Sequence, residues 1–154
     1  MYDTILVPTD GSPGAQSAVE KAFDLAETYD ATVHALNVVE LVYTYDFDPG
    51  RLLDQLRAAG ERATEDVATA GRERGIDIVT AVERGSPHEV IVEYAADHDV
   101  DLIVIGTHGR RGVRRALLGS VTERVIRLAD VSVLVTRRKE DTGEGDDETA
   151  ATDA

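Results

Sequence analysis

Glycines, hydroxyls and arginines gather in one late stretch of the chain. Gly106 and Gly109 are followed by Arg110, Arg111, Arg114 and Arg115, and then by Gly119-Ser120-Val121-Thr122. Four of the sixteen bases of a strongly acidic chain fall within six residues there. Glycine lets a backbone turn and approach a ligand with no side chain in the way. A helix opening at Gly119-Ser120 offers unpaired N–H groups and the positive end of its dipole to an anion. Ser120 and Thr122 add hydroxyl donors. These residue types in this order describe a phosphate cradle. The alternative is a glycine-rich surface loop with solvated arginines. His108, inside the loop, either reaches phosphate or faces solvent.

Such a cradle needs elements to hold it, and the hydrophobic pattern supplies them. Tyr2 to Pro8, with Ile5-Leu6-Val7, reads as a short buried strand. Ser12 to Tyr29 has apolar residues near helical spacing, with Ser12 as N-cap and Pro13 at the first helical position. Thr32 to Val39 is a second strand. Gly50 to Arg74 is a long helix with a stripe of Leu52, Leu56, Ala59, Ala63, Val67 and Ala70, closed by Gly75. Ile76 to Glu83 is a third strand, and Ser86-Pro87 opens a helix carrying Val90, Ile91, Tyr94 and Ala95. Asp101 to Ile105 is the fourth strand, Ser120 to Ala129 the last helix, and Val131 to Thr136 the last strand. Strands alternating with helices predict an α/β fold with one doubly wound, open parallel sheet and helices on both faces. Ligands of such sheets sit beyond the carboxyl ends of the strands, where the winding reverses. The first strand ends there in Pro8-Thr9-Asp10-Gly11-Ser12, and the fourth in Gly106-Thr107-His108-Gly109. Asp10 is a binding candidate or a turn residue; Thr9 reads as a backbone-positioning residue.

Composition narrows the chemistry. The 154 residues include no cysteine, which removes disulfides, thiolate metal sites and cysteine nucleophiles. The net charge is −14. Residues 140–154 carry seven acids and no base, and read as a disordered acidic tail after a domain spanning 1–139. The body alone still has 23 acids against 16 bases, which argues against general binding of nucleic acid or anionic membrane. Arginine supplies fourteen of the bases and lysine two, Lys21 and Lys139. Such an acidic, lysine-poor surface fits solubility in concentrated salt; the alternative is an ordinary acidic protein. With no membrane-length apolar run and no signal-peptide start, a cytoplasmic location is expected.

Several chemistries lack their residues. No Gly-Lys-[Ser/Thr] phosphate loop, no Gly-x-Gly-x-x-Gly and no Gly-x-Ser-x-Gly occurs. His34, His88 and His98 are scattered without metal-ligand spacing. A phosphoryl-accepting receiver would need clustered acids and a late-strand lysine, and no lysine lies between Lys21 and Lys139. Glu123 is the one acid near the cradle available as a general base, on a helix surface.

The spacing Gly106-x2-Gly109-x9-Gly119-Ser120 resembles the nucleotide-binding pattern of the universal stress protein family. The opening Ile5-Leu6-Val7-Pro8-Thr9-Asp10-Gly11-Ser12, Gly85-Ser86-Pro87, and the closing Val133-Leu134-Val135 are similar to further stretches of that family. The resemblance spans residues 2 to 137. It implies a five-stranded parallel sheet in the order 3-2-1-4-5, of the adenine-nucleotide alpha-hydrolase-like kind. It also implies binding of ATP with Mg2+ or Mn2+ on the phosphates. Carried over by position, Pro8, Thr9 and Asp10 border the ribose end, and the backbone of Val38 meets the adenine edge. Gly106 and Gly109 line the ribose and phosphates. Arg110, Gly119, Ser120, Val121 and Thr122 hold the phosphates. The family pairs as homodimers through the last strand, here Val131, Val133 and Val135. One departure is Ser132, where the family often has proline.

The function that follows is an adenine-nucleotide-binding stress or signalling module with slow or no hydrolysis. The alternative is an ATPase or phosphotransferase using the same pocket. Tyr43, Tyr45 and Phe47, between the second strand and the long helix, are either a lid over the adenine or local packing.

Overall fold

Two short apolar runs, Ile5-Leu6-Val7 and Leu102-Ile103-Val104-Ile105, are almost wholly shielded from solvent. Runs of that length buried on both sides must be central strands of a sheet covered on each face. In this computed structural model, which describes residues 1–40, 49–107 and 118–137, they are β1 (Thr4–Pro8) and β4 (Leu102–Gly106). The remaining strands are β2 (Thr32–Val39), β3 (Ile78–Arg84) and β5 (Ser132–Thr136). All pair in parallel, in the order β3-β2-β1-β4-β5 that the resemblance implied. The strand period of two sends Ile5 and Val7 to one core cluster and Leu6 to the other, as it does Leu102 and Val104 against Ile103 and Ile105.

The helices are α1 (Pro13–Tyr29), α2 (Pro49–Glu73), α3 (Pro87–Asp97) and α4 (Ser120–Leu128). α1 and α2 carry the chain outward from β1 to β3; α3 and α4 carry it the opposite way, to β4 and β5. Right-handed crossovers in opposite directions place helices on opposite faces. Accordingly Val19, Phe23 and Val67 of α1 and α2 share one cluster, and Ile91, Tyr94 and Val125 of α3 and α4 share the other. The winding reverses between β1 and β4, so their carboxyl ends frame the crevice where ligands of such sheets bind.

Local signals set the element ends. Ser12 caps α1 by accepting from Ala15 N at 3.2 Å, with Pro13 in the first turn; such a cap contributes about 1 kcal/mol. Gly75, at φ +76°, ends the turn after α2. Ser132 pairs with Leu102, so the missing family proline does not displace the start of β5.

The expected face of α2 needs correction. Of the predicted stripe only Val67 is buried; Leu52, Leu56, Ala59, Ala63 and Ala70 are half-buried. The buried line also takes in Gly60, Thr64, Ala68 and Gly71. A hydrophobicity pattern gives glycine and threonine no weight, yet small residues are what let this helix lie close to the sheet.

Candidate functional site

The turn after β1 is held by its own side chains. Thr9 N–H donates to Leu36 O at 2.8 Å, one residue past the end of β1. The Thr9 hydroxyl accepts from Gly11 N at 3.2 Å, and the Asp10 carboxylate from Ser12 N at 2.9 Å. Gly11 sits at φ +78°, a conformation that favours glycine. Asp10 thus holds a turn, half-buried at the carboxyl end of β1. Thr9 is buried, and its hydroxyl and N–H both bond backbone groups.

On β2 the Leu36 carbonyl faces β1, so by the strand period the peptide groups of Val38 face the same side. β1 has already ended there, since its last pair is Pro8 with Leu36. The Val38 backbone edge thus borders the crevice.

The β4–α4 side is pinned by two contacts. Gly119 N–H donates to Thr107 O at 2.8 Å, and the Thr122 hydroxyl donates to Gly106 O at 2.7 Å. Glu123 N–H, bonded to Gly119 O, is the first helical donor in the ladder. The amides of Ser120, Val121 and Thr122 precede it, at the positive end of the helix. Ser120 is exposed, whereas Thr122 is only 4% exposed and its hydroxyl is directed inward. Thr122 thus contributes its position and amide, not a hydroxyl donor. The Thr136 hydroxyl, on the register partner of Gly106, is buried without a hydrogen-bond partner among the described residues. Nothing in the residue pattern pointed to it.

Packing gives Gly106 a requirement that its sequence context did not indicate. A Cβ there would lie 2.7 Å from the Gly14 carbonyl oxygen of α1. Its missing side chain admits the first turn of α1. Gly109, Arg110, His108, Arg111, Arg114 and Arg115 lie outside the described residues, as do Tyr43, Tyr45, Phe47 and the tail from Glu140. The structure therefore brings together Pro8, Thr9, Asp10, Val38, Gly106 and Gly119 to Thr122 at the crevice. Glu123, the candidate base, pairs instead with Arg127 at 2.7 Å on the exposed side of α4. Among the described residues no three metal-ligating side chains gather. A groove lined by Arg57, Glu61, Arg62, Glu65, Thr80 and Val82 runs between α2 and β3, away from the crevice, with its charges balanced.

Two of the histidines, His34 and His98, come together around Tyr94. His34 Nδ1 lies 2.7 Å from the Tyr94 hydroxyl, and the Tyr94 and His98 rings stack at 3.8 Å. The His98 Nδ1 donates to the Tyr94 carbonyl, which can only accept. Burial, and then the neighbouring His98, hold His34 below the ordinary histidine value; burial, and then Glu83, push the Tyr94 hydroxyl up. The folded chain thus resists a proton that the unfolded chain takes up below about pH 6.5. Stability should fall as pH drops through that value. His34→Gln should fall less, in urea midpoints read at about pH 7.5 and about pH 5.5. Equal falls in the two proteins would refute the assignment.

Comparison with known proteins agrees with this architecture. Residues 1–137 match the model of the universal stress protein family. Universal stress protein MJ0531 of Methanocaldococcus jannaschii is 38% identical over 143 residues, covering 90% of this chain and 84% of that protein. The solved structure of universal stress protein UspA from Lactobacillus plantarum is 33% identical, with a TM-score of 0.80 over 88% of this chain and 98% of that one. A universal stress protein solved in complex with cAMP is 26% identical, with a TM-score of 0.71 over 90% and 99% of the two chains.

Proposed function

The chain belongs to the universal stress protein family, and on that footing we propose that it is a cytoplasmic stress-response module that binds ATP and hydrolyses it slowly or not at all. One observation carries this reading: the amino end of α4 is fastened to the end of β4 by Gly119 N–H to Thr107 O and Thr122 Oγ1 to Gly106 O. That fastening fixes the amides of Ser120, Val121 and Thr122 at the crevice, the rigid backing a polyphosphate site needs. A relative with bound cAMP supports an adenine nucleotide as the occupant.

In this reading Asp10 takes the ribose hydroxyls, Val38 the adenine edge, and the α4 amides with Arg110 the phosphates. Mg2+ or Mn2+ would accompany the phosphates. In this reading turnover is slow, with Glu123, the nearest candidate base, paired to Arg127 on the helix surface. The acidic, lysine-poor composition keeps the protein soluble in concentrated salt. Calorimetry of ATP with nucleotide-stripped protein, in high salt with and without magnesium, tests the reading. Micromolar binding is expected; its absence in folded protein overturns the assignment, and rapid turnover overturns the slow-hydrolysis part.

The module works as a homodimer through β5. Among the described residues β5 has β4 on one side and no strand on the other. An edge with unpaired N–H and C=O groups is a template for a second strand. Val131, Val133 and Val135 are half-buried along it, and Ile126 and Leu128 of the preceding helix are 43% and 53% exposed. Light scattering should give a dimer that Leu128→Glu converts to a folded monomer. A wild-type monomer would remove the dimer from the reading.

A further inference from the structure

Asn37 stands on β2 between Leu36 and Val38, and its side chain leaves the sheet toward α2. Its carboxamide nitrogen donates to the Thr9 carbonyl at 2.8 Å, across 28 positions of sequence. The orientation of the amide is fixed, because a carbonyl can only accept. The other side of the carboxamide faces Gly60 of α2, where an added Cβ would lie 2.9 Å from the amide carbon and closer still to Oδ1.

The place of this bond in the ladder gives it meaning. Thr9 N–H donates to Leu36 O. In a regular parallel ladder the next bond would run from Val38 N–H to Thr9 O. Here the Thr9 carbonyl takes the Asn37 side chain instead. One donor is substituted for another, with two consequences. The Thr9–Asp10 turn stays tied to β2 although β1 has ended. The Val38 N–H is not drawn into the ladder and remains directed at the crevice.

We propose that Asn37 is a positioning residue of the nucleotide site, holding the Asp10 turn through Thr9 O and reserving the Val38 peptide edge for an adenine base. The proposal rests on the nucleotide reading above and deepens it. Asn37 acts through Thr9 and Val38, without touching the ligand. Gly60 belongs to the same device, since any larger residue at that point of α2 would push the carboxamide off Thr9 O.

Asn37→Asp provides the test, because it keeps the size and shape of the side chain but faces Thr9 O with a carboxylate that cannot donate. ATP affinity by calorimetry at about pH 8 should fall roughly tenfold. Amide hydrogen exchange at Asp10, Gly11 and Ser12 in the nucleotide-free protein should quicken. The new carboxylate is half-buried and faces the Thr9 carbonyl, which pushes it above the ordinary aspartate value of about 4, so lowering the pH toward about 4.5 protonates it and restores a donor. The ratio of variant to wild-type affinity should then return toward one, a readout that a merely structural residue would not move. Gly60→Ala should weaken binding even though it raises helix propensity. Its effect should vanish when Asn37→Ala is already present. If Asn37→Asp does not fold, Asn37→Ala carries the affinity test: weaker binding supports the role and unchanged binding overturns it. Wild-type affinity in Asn37→Asp, or a ratio flat with pH, overturns the proposal and leaves the nucleotide reading standing. A wild-type protein that binds no ATP overturns both.

Discussion

Replacing Gly119 by aspartate is expected to weaken polyphosphate binding more than a hundredfold while leaving the fold as stable as before. Gly119 is the N-cap of α4 at φ −61° and ψ 151°, ordinary extended backbone that any residue adopts. Aspartate is among the preferred N-caps and is a few tenths of a kcal/mol better than glycine there. Its charge also suits the positive end of the helix. The same carboxylate accepts from the Val121 or Thr122 amide and repels a phosphate. Two like charges ~4 Å apart near a protein surface repel by about 4 kcal/mol. Against a polyphosphate this should lower affinity more than a hundredfold, by roughly 3 kcal/mol or more. Calorimetry of ATP beside a thermal melt reads both halves. Unchanged affinity with an unchanged melt would mean that the phosphates are bound elsewhere.

Gly106→Ala should produce the opposite combination, a damaged fold and damaged binding together. The new Cβ would lie 2.7 Å from the Gly14 carbonyl oxygen and 3.0 Å from its carbon, both helix backbone. Neither side can yield easily. α1 is tied at Ser12 by its cap, and the Gly106 carbonyl is tied to the Thr122 hydroxyl. Overpacking against backbone of this kind costs about 3 kcal/mol. For a chain of this size the melting temperature should drop on the order of 6–12 °C. The clash also displaces the start of α1, and with it the Asp10 turn that leads into Pro13. A melt within a degree or two of wild type would show that α1 can shift freely, and would remove the packing account of this glycine.

These two glycines mark how far residue types reach. Both were legible as members of one spaced pattern, and the pattern placed both at the crevice. Their physical roles were not legible, because spacing does not say which way a missing Cβ would point. Thr122 shows the same limit. Its type offers a hydroxyl to an anion, but the fold turns that hydroxyl to Gly106 O and leaves only the amide for a ligand. Asn37 carried no signal at all, being one of three polar residues on its strand with its partner 28 positions away.

The sequence by itself determined the elements of this protein and their ends. Thr32 to Val39 is a strand because its residues favour a buried pleated surface, and Ser12-Pro13 starts a helix because a hydroxyl cap and a fixed φ act within one turn. Those causes are local, so they can be read along the chain. Only the tertiary structure decided which small residues α2 lays on the sheet, that His34, Tyr94 and His98 form one cluster, and that Asn37 replaces a ladder bond. Each depends on strand order and on helices reaching across the sheet, as in the bond between His34 and Tyr94, 60 positions apart. Contacts at that separation form only when the whole sheet has closed, and no periodicity of 2 or 3.6 residues encodes them.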